Sequence, residues 1–142
     1  MNVFIDTSSL LKLYHREDGT DKLLQLLSDK AKSIYLSELA KVEFTSAVSK
    51  KVRTKELTNI TANKIISYFE TDFDKFIWIK LNTLIINSAK EYIKIYGNNN
   101  LRTLDAIQLV CALSVKNNVD IFSTTDKVLA KIFRLEKLPT DI

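Results

Sequence analysis

Short β-rich runs recur along this chain between longer segments of helical period, which is the pattern of a parallel sheet covered by helices. The runs predict strands at Val3–Asp6, Ser33–Leu36, Phe76–Ile79 and Asp120–Ser123. Helical period falls over Ser8–Tyr14, Thr20–Asp29, Ser37–Arg53, Thr61–Phe73, Thr83–Tyr96, Thr103–Lys116 and Thr125–Leu135, and the stretch around Pro139 is a candidate short edge strand. Gly97-Asn98-Asn99-Asn100 is the clearest breaker, with Gly97 placed to end a helix. With 142 residues, 46% of them hydrophobic, and no repeat, low-complexity stretch or linker, one domain over residues 1–142 is expected.

Composition removes several chemistries. Two glycines, Gly19 and Gly97, cannot build a GxGxxG turn or a GxxxxGK[ST] phosphate loop. One histidine, His15, and one cysteine, Cys111, cannot supply a zinc site or an internal disulfide, and Cys111 reads as a buried thiol. No apolar run approaches the roughly 20 residues that span a bilayer, and Asp6 interrupts any signal-peptide core, so a soluble, cytoplasmic protein without a membrane partner is expected. Carboxylates, hydroxyls and Lys/Arg remain, and their natural chemistry is an oxygen-ligated metal.

Acids placed where burial disfavours them carry the next step. Asp6 follows Val3-Phe4-Ile5 at the C-terminal end of the first strand, the edge where open α/β sheets bind ligands. Asp126 ends Ile121-Phe122-Ser123-Thr124-Thr125 in the same way. Either acid alone could be a helix N-cap. On a helix from Ser37, Glu43 shares its face with Leu39, Val42, Ser46 and Ala47, and Asp105 lies among Leu101, Leu104, Gln108, Leu109 and Ala112. Each could be a ligand or a salt-bridge partner, Arg102 being the candidate partner of Asp105. Together the four can converge above the sheet, where only protons or a cation such as Mg²⁺ or Mn²⁺ would neutralise them. Asp18, Asp21, Asp29, Asp72, Asp74 and Glu70 read as solvated surface, and Asp120 lies at the opposite sheet edge.

The residues around these acids resemble the PIN-domain ribonucleases, most closely the VapC-like toxins of toxin–antitoxin pairs. Phe4-Ile5-Asp6-Thr7-Ser8-Ser9-Leu10-Leu11-Lys12-Leu13-Tyr14 is similar to the family's opening strand and turn. Glu38-Leu39-Ala40-Lys41-Val42-Glu43-Phe44-Thr45-Ser46-Ala47 resembles its second motif, Leu101-Arg102-Thr103-Leu104-Asp105-Ala106-Ile107-Gln108-Leu109 its third, and Phe122-Ser123-Thr124-Thr125-Asp126-Lys127-Val128-Leu129 its fourth. Gln108 departs from the pattern, since many relatives carry histidine there; the departure puts no metal ligand in doubt but could alter a substrate or partner contact.

The resemblance implies a three-layer α/β/α fold with a mostly parallel sheet of four to five strands, a Mg²⁺ or Mn²⁺ site, cleavage of single-stranded RNA, homodimerisation and inhibition by a small cognate antitoxin. Asp6, Glu43, Asp105 and Asp126 would be the catalytic metal ligands, Thr7, Ser8 and Thr124 would orient them, and Arg102 and Lys127 are candidate substrate contacts. Setting those four of the 17 acidic residues aside leaves 13 against 21 Lys and Arg, a surplus suited to RNA phosphates. Lys50, Lys51, Arg53 and Lys55 read better as a helix C-terminus, and Phe69, Phe73, Phe76 and Trp78 as core or an oligomer interface. Two rival functions are an Mg²⁺-dependent aspartyl phosphatase or phosphotransferase using Asp6 as nucleophile, and a non-catalytic PIN module that binds RNA or protein. Ser8, and Phe4-Ile5 before Asp6, stand where two families of such aspartyl enzymes expect further acids.

Overall fold

A computed structural model describes the backbone of residues 1–142 and every side chain except those of Asp29 and Lys30, so the reading of Asp29 as solvated lies outside the described residues. In chain order the elements are β1 (Asn2–Ile5), α1 (Thr7–Tyr14), α2 (Thr20–Lys30), β2 (Ser33–Ser37), α3 (Leu39–Arg53), α4 (Asn59–Thr71), β3 (Ile77–Ile79), α5 (Thr83–Tyr96), α6 (Thr103–Ser114), β4 (Ile121–Ser123) and α7 (Lys127–Leu135). The sheet runs β3-β2-β1-β4 with every pairing parallel, in register Val3↔Ile34 and Phe4↔Phe122. A single bridge from Phe122 to Thr140 supplies the edge expected near Pro139. No helix among the described residues is long and apolar enough to cross a membrane.

Strand side chains alternate between faces, and β1 shows how that builds three layers. Val3 and Ile5 pack with Leu10, Leu36, Phe44, Val48 and Phe69, from α1, β2, α3 and α4. Phe4 packs on the other face with Phe122, Leu109, Leu129 and Phe133, from β4, α6 and α7. The chain is therefore a three-layer α/β/α structure whose central strand is covered on both sides.

The structure moves several boundaries by a few residues, and the causes are local. β2 extends to Ser37, whose Oγ accepts from Leu39 N–H at 3.1 Å, so α3 starts at Leu39. Thr58 caps α4 through Thr61 N–H at 3.2 Å and starts that helix at Asn59. Asp126 caps α7, so that helix opens at Lys127 instead of Thr125. Gly97 keeps a right-handed backbone and begins a short 3-10 turn, while Asn100 takes the left-handed conformation (φ 64) that ends it.

The face assigned to Glu43 also needs correction. The buried stripe of α3 is Ala40, Phe44 and Val48, whereas Val42 is 68% exposed and Ser46 is exposed; Glu43 sits on the flank of the stripe. On α6, Leu104 is exposed although the rest of the helix is as buried as its composition implies. Asp72 is more than solvated surface, because it accepts a hydrogen bond from Tyr14 Oη at 2.8 Å. Asp18, Asp21, Asp74 and Glu70 are exposed, and Asp120 accepts from the Asn2 backbone N–H at the far end of β1. Phe69, Phe73, Phe76 and Trp78 form a core cluster with Tyr14 and Phe44, and Lys51 pairs with Glu17 and Glu56.

Candidate active site

In an open parallel sheet, connections leaving a strand and its neighbour in opposite directions open a crevice at their C-terminal ends. Here β1 stands between β2 and β4, and the crevice above β1 and β4 receives Asp6 and Asp126. Asp6 follows β1 directly and caps α1 from an extended backbone. Its Oδ1 accepts from Ser8 Oγ at 2.7 Å and Ser9 N–H at 3.2 Å, and its Oδ2 from Thr124 Oγ1 at 2.8 Å. The residue is 5% exposed. Burial pushes its carboxyl up to about 7 against the pull of those three donors, and Asp126 pushes the same way.

Asp126 repeats the arrangement after β4. Its Oδ1 accepts from Val128 and Leu129 N–H at 2.8 and 3.1 Å, while its own N–H donates to Thr124 Oγ1 at 3.0 Å. Both strand-end acids are thus the helix caps that their positions allowed. Thr124, fully buried, is the link: it donates to Asp6 and accepts from the backbone of Asp126.

Glu43 reaches the same region from α3. Its Oε1 accepts from Thr7 Oγ1 at 2.9 Å and from Gln108 Nε2 at 2.7 Å, and Gln108 Nε2 also donates to Thr7 Oγ1 at 3.2 Å. Burial raises its carboxyl above the ordinary glutamate value, the two donors oppose this, and Asp105 adds a smaller push. Asp105, in the first turn of α6, is raised by burial and then by Asp126, against the nearby Arg102. No ion pair joins Arg102 to Asp105 among the described residues, so the salt-bridge reading of Asp105 finds no support.

Asp105 is shared by two cavities. One of about 450 Å³ is lined by Glu43, Arg102, Thr103, Leu104 and Asp105. The other, about 460 Å³, is lined by Gly97, Asn100, Leu101, Arg102, Asp105, Asp126 and Val128. The four acids therefore follow an arc, Asp6 to Asp126 to Asp105 to Glu43: Asp126 pushes Asp6 and Asp105 up, and Asp105 pushes Glu43 up. Among the described residues no three His, Cys, Asp or Glu side chains close round a common point. Such an open arc suits a small hard cation that keeps much of its water and takes only one or two protein carboxylates. The donor set fits as well: all four are hard oxygen ligands, none is in an ion pair among the described residues, and Glu43 Oε2 and Asp126 Oδ2 accept no hydrogen bond among them. Arg102 lines both cavities, whereas Lys127 is exposed at the start of α7 and lines neither.

Two features of the site escape sequence reasoning. Asp141 accepts from Ser123 Oγ at 2.6 Å and from Thr124 N–H at 3.2 Å, and Ser123 Oγ also donates to Ser9 Oγ at 3.0 Å. That network braces the loop carrying Thr124, and the extended stretch near Pro139 was its only sequence signal. Gln108 is the other: instead of a surface contact it is 3% exposed and holds Glu43.

Comparison with known proteins agrees with this architecture. The comparison with curated proteins finds no match. Among solved structures, VapC20 of Mycobacterium tuberculosis, a toxin that cleaves the sarcin–ricin loop, superposes with a TM-score of 0.71 at 12% identity, covering 92% of this chain and 94% of that one. VapBC2 of Rickettsia felis, bound to a DNA fragment from its promoter, gives 0.67 at 14% identity over 99% and 98% of the two chains. FitAcB of Neisseria gonorrhoeae gives 0.66 at 14% identity over 97% and 95%. Identities this low speak for the fold alone. The family model of the PIN domain, however, matches residues 3–135, nearly the whole chain, and with four strand-end and helix-borne acids ranged along one edge of a parallel sheet, this protein belongs to the PIN-domain family.

Proposed function

We propose that residues 1–142 form one PIN-like domain acting as a metal-dependent endoribonuclease, the toxin of a toxin–antitoxin pair. The arc of four carboxylates, none of them ion-paired among the described residues, carries this reading, since three of them are raised by burial and would be relieved by a divalent ion. The structural neighbours, VapC and VapBC proteins, support the toxin role. Mg²⁺ or Mn²⁺ held by Asp6, Glu43, Asp105 and Asp126, directly or through water, would lower the pKa of a water and offset charge building on the phosphate. The chain's own residues do the rest. Thr7 donates to Glu43, Ser8 and Thr124 donate to Asp6, and Arg102, which lines both cavities, would meet a phosphate of the RNA backbone. Lys127 extends the cationic rim beside Asp126.

Asp6 is a poor candidate nucleophile, because Ser8 and Phe4-Ile5 stand where two families of aspartyl enzymes place further acids. The test is single-stranded RNA incubated with the protein in EDTA, Mg²⁺ and Mn²⁺. Cleavage restored by either ion is expected; RNA that is bound and never cut would make this a non-catalytic PIN module.

Metal uptake has its own readout. Because the apo site holds crowded carboxylates, an ion that binds the native state at a hundredfold excess over Kd stabilises it by about 2.7 kcal/mol, roughly 5–10 °C in Tm for a chain of this size. A melting curve indifferent to saturating Mg²⁺ and Mn²⁺, with no heat of binding, would count against the site.

The inhibitor follows from the charge of the pocket. We expect a small antitoxin whose tail places an Arg or Lys against these acids, since a guanidinium matches carboxylate geometry. Tail and ion then compete, and each weakens the other by the same factor. A tail-peptide affinity that ignores Mg²⁺ would put the inhibitor elsewhere. Homodimerisation, also expected, is checked by sedimentation.

A further inference from the structure

Gln108 presents an unusual balance. It is 97% buried on α6, its Nε2 donates to Glu43 Oε1 at 2.7 Å and to Thr7 Oγ1 at 3.2 Å, and its Oε1 is buried with no partner among the described residues. Turning the amide over would not cure this, because it would set one oxygen against the Glu43 carboxylate and remove the donor that Thr7 accepts. The orientation is therefore dictated by Glu43, and an unpaired buried carbonyl is tolerated to keep it. Thr7 completes a triangle by donating to the same Glu43 oxygen at 2.9 Å. Two neutral donors thus converge on Oε1, and Oε2 accepts nothing from the protein among the described residues.

A neutral donor differs from a cationic one in a way that matters here. A Lys or Arg in this place would hold Glu43 equally firmly but would cancel the charge that attracts an ion. An amide fixes the carboxylate without adding a charge of its own, at any pH. We infer that Gln108 is a positioning residue for the metal site, locking one oxygen of Glu43 so that the other is presented to a divalent cation. This role rests on the metal-nuclease reading above and adds to it a residue that acts only through Glu43.

The experiment is a double-mutant cycle on Mn²⁺ affinity, measured by calorimetry on protein stripped with EDTA and checked for native circular dichroism. Gln108→Met keeps the length and volume of the side chain and removes its donors. In the wild-type background it is expected to weaken Mn²⁺ binding by about tenfold or more, the usual cost of removing a group that orients a ligand. In a Glu43→Ala background the same change should alter affinity by under about twofold, since its target is gone. Gln108→Asn, which keeps an amide but withdraws it by one methylene, should weaken binding in the same direction and serves if the Met variant does not fold. Equal losses in both backgrounds, or no loss in the wild type, would overturn the role alone. A wild-type protein that takes up no Mn²⁺ would overturn the metal reading and this role with it.

Discussion

Asp105→Asn is expected to reduce RNA cleavage by more than about 100-fold, since losing even an indirect partner of a metal ligand costs 10–100-fold. Stability of the apo protein should stay within about 0.5 kcal/mol of wild type or improve. The side chain keeps its shape, makes no ion pair among the described residues, and sheds a charge that Asp126 and Glu43 both repel. A buried salt-bridge partner would behave oppositely, losing about 3 to 5 kcal/mol. Urea denaturation of both proteins in EDTA, beside a cleavage assay in Mn²⁺, separates the two cases, and a destabilised, still active variant would remove Asp105 from the site.

Asp6→Asn should change how stability depends on pH. Asp6 titrates near 7 in the fold against 3.8 as its ordinary value, so between those pH values the native state holds a proton that the unfolded chain has released. Its contribution is fully present below about pH 4 and drains away as pH rises through 7, a loss of up to about 4 kcal/mol in the apo protein. The Asn variant carries no charge in either state and escapes this loss, and its amide can still accept from Ser9 N–H while donating to Thr124 Oγ1. In EDTA the wild type should therefore fall relative to Asp6→Asn from pH 4 to 8. The fall does not vanish wholly in the variant, because Glu43 and Asp105 are shifted the same way. Mn²⁺ should restore the wild type and leave the variant behind. Parallel pH profiles in EDTA would show that burial does not hold Asp6 protonated.

The acids were legible because each sits at a place that a short stretch of sequence defines. Asp6 and Asp126 end apolar strands and begin helices, and hydroxyls at fixed short spacing, Ser8 and Thr124, stand beside them. A strand end and an N-cap are properties of near neighbours, so both the cap and the ligand reading could be drawn before any fold was known. For Glu43 the stated reason failed. Its supposed stripe through Val42 and Ser46 faces solvent, and α3 buries Ala40, Phe44 and Val48 instead.

By itself the sequence determined the alternation of strands and helices, the parallel sheet and the residues from which a site could be drawn, because periodicity, capping and burial of apolar runs act over a few residues. Thr83–Tyr96 is predicted to the residue, with Gly97-Asn98-Asn99-Asn100 as the breaker, and in the structure Asn82 caps its other end. Only the tertiary structure decided which acids are neighbours and what supports them. Gln108 meets Thr7 across 101 residues and Glu43 across 65, and Asp141 reaches back to Ser123 and Thr124 from beyond α7. Parallel strands need long crossovers, so the C-terminal edge of such a sheet is assembled from segments far apart in the chain, and contacts made there leave no period or spacing to read.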